Sequence, residues 1–228
     1  PLAGMKAKEV GRMFKNKAFP YIAIFFLLLA KVSAFRLLIF DAKSFWHIAF
    51  VEFPVWALLL AAALLMFKKR KWLVVWTYSL LVSGVFFAVT LYSRYYSTIP
   101  SYYDLRQTTQ SSTVGTTILL LIHPLDFLFF LDLAALWVLR RKWGKLPKLG
   151  SLKYAAAALA AVSIITTVYA INKPIVDISY FAKENGYAQS QLVQMYNEAT
   201  ETAHASSTEL TPKKLEALKG NIYVPENE

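Results

Sequence analysis

Eight polar residues have the types and spacing to bind an ion or a phosphate, and they stand inside or beside long apolar runs. Lys31 and Arg36 interrupt one run, Asp126 opens another, and Asp132 lies within it. Tyr92, Arg94, Arg106 and Gln107 belong to the polar stretch between two runs. A guanidinium fork matches phosphate oxygens bidentately. Arginines interleaved with tyrosine hydroxyls therefore suit an anionic headgroup or a polymer phosphate. The plainer reading makes the arginines interfacial anchors with apolar stems and Asp126 a carboxylate favoured at a helix start. Residue type alone leaves both open.

Charges at membrane depth are costly and tend to face a protein interior or a wet cavity. Lys31 lies twelve residues beyond Phe19, roughly 18 Å up a helix at about 1.5 Å per residue. Asp132 lies eight residues before Arg140, roughly 12 Å from that end by the same rise. A lysine side chain spans the difference, so a Lys31–Asp132 contact is geometrically allowed. It reads either as an ion pair between helices or as part of a pocket that admits lipid headgroups.

The elements that must position these residues are apolar and long. Of 228 residues, 57% are hydrophobic and only 17% charged, and blocks of about 20 apolar residues mark membrane helices. Five spans are expected: Phe19 to Phe40, Pro54 to about Phe67, Trp72 to about Leu91, Pro124 to Arg140, and Leu152 to Ile171. Asp41 to Phe53 reads as a short turn, and 92–122 as a polar excursion with an interfacial end. The fold class is thus all-α, a polytopic membrane protein with an extracytoplasmic helical loop and tail. Pro1 to Gly4 read as residues left over from expression, and 1–18 as a basic cytoplasmic or interfacial segment. Residues 19–171 form the five-helix domain. Residues 172–228 form an extracellular linker, with helical runs near Gln189–Thr202 and Pro212–Leu218.

The formal charge of +11 invites a nucleic-acid reading, but its distribution opposes one. Fifteen of the 25 Lys and Arg fall at the N-terminus, at 68–71 and at 140–153, between apolar blocks. By the positive-inside rule the N-terminus lies in the cytoplasm and the C-terminus outside. No cysteine is present, and the three histidines at 47, 123 and 204 are scattered. No metal site, cofactor or soluble-enzyme motif is visible, so the chain offers no catalytic apparatus of its own.

Several matches in order resemble a known family. Lys31 falls late in the first span. Tyr92-x-Arg94, two aromatics and Ser97 end the third, with Leu105-x-Gln107 after it. Asp126-Phe127 and Phe130-Leu131-Asp132 mark the fourth, Lys173-Pro174 follows the fifth, and Ala203-His204-Ala205-Ser206 has the small-x-small form of a signal peptidase site. Together they resemble the N-terminal membrane domain of the lipoteichoic acid synthase family of Gram-positive bacteria, over about residues 19 to 219. Arg36 is a second charge in the first span outside that pattern.

The resemblance implies a multi-pass protein of the bacterial plasma membrane, followed beyond Glu228 by an extracellular sulfatase-like domain. That domain would use a Thr nucleophile and manganese to move glycerol phosphate from phosphatidylglycerol onto a glycolipid-anchored polymer. It also implies cleavage by signal peptidase between Ala205 and Ser206. Two alternatives are a phosphoethanolamine transferase's membrane domain and a stand-alone lipid transporter or flippase. The first would be followed by a different catalytic signature; the second needs a gene ending near Glu228.

Overall fold

The computed structural model describes residues 18–40, 47–67, 69–106, 120–147 and 150–207, with backbone only at 48, 105, 106 and 201–207. Every element among them is helical. Helix α1 is Phe19–Phe40; a π-helical turn, Ile48–Glu52, leads into α2, Phe53–Met66. Then come α3 (Lys71–Tyr96), the short α4 (Tyr102–Arg106), a 3₁₀ segment (Pro124–Phe130) and α5 (Leu131–Trp143). Helices α6 (Leu152–Ile171), α7 (Ile178–Asn185) and α8 (Tyr187–Ser207) complete the order. The chain divides after Val193 into two compact units, the second holding the rest of α8.

Among the described residues, four helices are long and apolar enough to cross a membrane: Phe19–Phe40, Ala49–Met66, Lys71–Tyr96 and Leu152–Ile171. The first and last have the expected bounds, and the other two depart from them for local reasons. Pro54 has no N–H to return to the preceding turn, and such a gap loosens the ladder. The wide turn Ile48–Glu52 accommodates it, so helix replaces the turn expected before Pro54 and carries Glu52 inward. Helix α3 runs five residues past Leu91, placing Tyr92 and Arg94 on its last turns rather than in a loop. Ser97, with φ of 56°, ends it.

The expected span from Pro124 to Arg140 is divided. Pro124 starts a 3₁₀ segment capped reciprocally. His123 Nδ1 accepts from Leu125 N at 3.3 Å, and Asp126 Oδ2 accepts from His123 N at 2.8 Å. The Phe129 carbonyl is taken sideways by Ser83 Oγ at 2.5 Å. Only at Leu131 does the α-helix begin.

Aromatic rings fill the centre of the bundle. Phe35 stacks on Phe86 with centroids 4.0 Å apart, and Trp56 and Phe129 meet Phe86 edge-on at 5.0 and 5.9 Å. Phe35, Phe86 and Phe129 are all fully buried. Lipid tails are as apolar as leucine, so helix association relies on close packing of small residues. Helix α2 buries Ala57 and Ala61, and α6 buries Ala156, Ser163 and Ala170.

Of the tail, the run expected near Gln189–Thr202 is longer, and α7 was not expected. Asp177 caps α7, accepting from Ser179 N at 2.6 Å and Tyr180 N at 3.2 Å. The run near Pro212–Leu218 lies outside the described residues.

Candidate functional site

One end of the bundle, here the basic end, carries the turns around Lys69–Lys71 and Arg140–Lys145. Tyr21 ties α1 to it, donating to Pro147 O at 2.6 Å and accepting from Lys71 Nζ at 2.7 Å. The opposite, distal end carries the close of α1, the π turn, the exits of α3 and α6, and the start of the tail.

Midway between them, Lys31 and Asp132 meet at 2.7 Å. The ammonium also donates to Ser79 O at 2.9 Å and to the Ser79 and Ser83 hydroxyls at 2.7 Å each. Ser79 Oγ in turn donates to Asp132 Oδ2. A buried pair is tolerable only when further hydrogen bonds satisfy its remaining donors. Two serines four residues apart on one face of α3 supply them. These residues link α1, α3 and α5.

At the distal end a second buried pair gathers the tail. Arg36 Nη1 lies 3.3 Å from Glu52 Oε2. It also donates to Ala182 O at 3.3 Å, while Nη2 donates to Lys183 O at 2.6 Å. Those carbonyls belong to the last turn of α7, where cations are favoured. Glu52 accepts from the first amides of α8: Tyr187 N at 2.6 Å and Ala188 N at 3.3 Å. Its other contact is Trp56 Nε1 at 2.9 Å. A carboxylate at a helix N-terminus satisfies orphan donors and complements the dipole. Burial and the neighbouring Glu52 charge push the Tyr187 phenol above its ordinary range, keeping it neutral.

Gly186 joins the two helices with φ of +92°, and a Cβ there would lie 2.5 Å from Gln189 Oε1 and 3.1 Å from Glu52 Oε2. Only glycine fits such an approach without strain. Gln189 itself donates to Val51 O and, at 3.2 Å, to Thr166 Oγ1. Gln191 Nε2 reaches Pro100 O at 3.0 Å, and Ser179 Oγ accepts from Ile99 N at 3.1 Å. The elbow of α7 and α8 is thereby bonded to α1, the π turn, α6 and the exit of α3.

A third pair sits beside it. Arg94 forks onto Asp126, with Nη1–Oδ2 at 2.5 Å and Nη2–Oδ1 at 2.6 Å, and Nη1 also donates to Leu121 O at 2.9 Å. Asp126 is fully buried, whereas the Arg94 side chain is 29% exposed. Tyr92 packs against Tyr96 with centroids 4.4 Å apart.

The structure places five of the eight residues singled out from sequence in ion pairs. Lys31 pairs with Asp132, Arg36 with Glu52, and Arg94 with Asp126. The backbone of Arg106 closes α4; Gln107 lies outside the described residues. Ala203, Ala205 and Ser206 lie in the last two turns of α8. Sequence reasoning missed Glu52, Gly186 and the serine pair. Glu52 was hidden by the Pro54 signal, which made the preceding residues look like a turn. Ser79 and Ser83 gave a usable hint, being polar at i, i+4 within an apolar run.

Long apolar helices, pinned by three ion pairs among the described residues, define an all-helical membrane protein. The chain belongs to the lipoteichoic acid synthase N-terminal domain family, whose profile matches residues 5–204. No curated protein and no solved structure matches it.

Proposed function

We propose that this chain crosses the plasma membrane five times, N-terminus in the cytoplasm, and anchors the extracellular catalytic domain of a lipoteichoic acid synthase-type glycerophosphotransferase. The crossing added to the four long apolar helices, fourth in chain order, is the 3₁₀ segment with α5. Seven residues at about 2.0 Å and thirteen at about 1.5 Å give roughly 34 Å, the thickness of a bilayer core. The basic turns fall on alternate connections, which supports the orientation. Manganese and the Thr nucleophile belong to the further domain, and no residue of this chain is assigned to them.

The observation that carries the anchoring role is the Arg36–Glu52 clamp. The clamp ties the first helices of the tail to the bundle, so the chain that leads to the catalytic domain is secured at the membrane. The test is Glu52→Ala in the full-length enzyme, with Glu52→Gln as the milder variant. Polymer synthesis should fall while the variant enzyme still hydrolyses soluble lipid substrate. Undiminished polymer synthesis in a folded Glu52→Ala enzyme overturns the role.

The second part of the reading is that an anionic lipid or polymer phosphate docks at Arg94, exchanging with the Asp126 carboxylate. It is supported by the part-exposed guanidinium at the end of α3, where headgroups would lie. Lysine cannot reproduce the fork, so Arg94→Lys should impair polymer synthesis at unchanged thermal stability. A variant that loses stability and synthesis in step makes Arg94 a structural residue.

A further inference from the structure

The basic end holds a groove of about 700 Å³ between the start of α3 and the end of α5. Lys69, Arg70 and Lys71 approach from one side, and Arg140 and Lys145 from the other. No Asp or Glu occurs anywhere in 53–103 or 133–176, so neither flank brings a carboxylate of its own. Lys71 is engaged by Tyr21 and Pro147. Lys69, Arg70, Arg140 and Lys145 are exposed, and the three ion pairs among the described residues involve none of them.

Three further features stand at this groove. Trp72 and Trp76 line it, and both indole N–H groups are buried without a partner. Trp72 as a whole is only 8% exposed. Buried polar groups are nearly always satisfied, so a pair of orphans calls for an explanation. Helix α3 begins here, and its N-terminus has no side-chain cap, leaving its first amides and its positive dipole end open to an anion. Gly144, with φ of 61°, closes α5 and turns the chain so that Lys145 and Leu146 fold onto the same groove. Every polar side chain lining the groove donates. The rest of the lining is apolar, with Leu73 and Trp137 exposed at its edge.

We propose that this groove is a binding site for an anionic phospholipid of the membrane leaflet at the basic end. The phosphate sits among Arg70, Arg140 and the start of α3, and an acyl chain lies along Leu73 and Trp137. The exposed apolar edge at Leu73 and Trp137 beside the cations suits a ligand that carries an acyl chain, whereas a soluble phosphate would engage the cations alone. Basic pockets between membrane helices are a known way to hold such headgroups. This site lies at the opposite end from Arg94 and is independent of the reading given for it.

The experiment uses the full chain, purified in neutral detergent, with dioleoyl phosphatidylglycerol, dioleoyl phosphatidylcholine and soluble glycerol phosphate as probes. Bound molecules are counted by native mass spectrometry. Wild type should retain the anionic lipid in preference to the neutral one. Arg70→Gln/Arg140→Gln should lose about tenfold or more of that retention, two cations being removed. Should that double variant not fold, Lys69→Gln/Lys145→Gln, on exposed side chains, replaces it with the same expected direction. Equal retention of the two lipids, or retention unchanged in the folded variant, overturns the site. Displacement of the lipid by glycerol phosphate at matching concentration overturns the lipid as its ligand.

Discussion

Arg36 and Glu52 lie 3.3 Å apart, and each also holds the end of a different helix. The arginine takes the closing carbonyls of α7, and the glutamate takes the opening amides of α8. One buried pair therefore neutralises itself and fixes a helical elbow. Loss of one member would strand the other's charge and leave one helix end uncapped.

Removing one member should be costly. Breaking a buried pair on one side typically costs about 3–5 kcal/mol. Arg36→Met and Glu52→Ala should each lower the melting temperature in detergent sharply. The double variant Arg36→Met/Glu52→Ala should recover part of the loss, because no unpaired charge remains. Additive losses in a double-mutant cycle would show that the two act separately.

The Lys31–Asp132 pair gives a parallel test. Asp132→Ala strands the ammonium between helices and should destabilise by about 3–5 kcal/mol. Lys31→Met added to it should restore stability in part. Ser79→Ala should cost less, about 1–2 kcal/mol, since the lysine keeps its Ser83 and Asp132 partners. Thermal unfolding of the four proteins side by side decides this.

Two glycines should respond oppositely to alanine. Gly186→Ala meets Gln189 Oε1 at 2.5 Å in a left-handed backbone and should destabilise by about 1–3 kcal/mol. Gly84, in the middle of α3, has nothing within 4 Å of its added Cβ. There alanine should be neutral or stabilising by up to about 1 kcal/mol. Equal melting shifts for the two would remove the argument for a tight elbow.

Topology is testable because the chain has no cysteine of its own. Single cysteines at Ser112 and Ser206 should label in intact cells with an impermeant reagent, and Arg70→Cys should not. The reverse pattern would invert the proposed orientation.

Cleavage after Ala205 requires the last turns of α8 to open, since that helix reaches Ser207 and a helical backbone holds its amides and carbonyls in internal bonds. Ala205→Pro should block release of material beginning at Ser206. N-terminal sequencing of the secreted part reads this directly.

The membrane class, the Phe19–Phe40 and Leu152–Ile171 bounds, and the alternation of basic turns were legible in sequence. Each depends on one-dimensional composition: runs of apolar residues longer than a bilayer is thick, and cations between them. The Lys31–Asp132 pair was also within reach, because helix rise converts residue number into depth. What composition could not convey was partnership. Glu52 looks like a turn residue until a π turn carries it inward, and Arg36 has no visible counterpart until the tail folds back over it. Arg94 and Asp126 are 32 residues apart in sequence, and the exit of α3 brings them into a fork. Depth follows from local spacing, but which charge faces which is set by helix packing, and only the tertiary structure decides it.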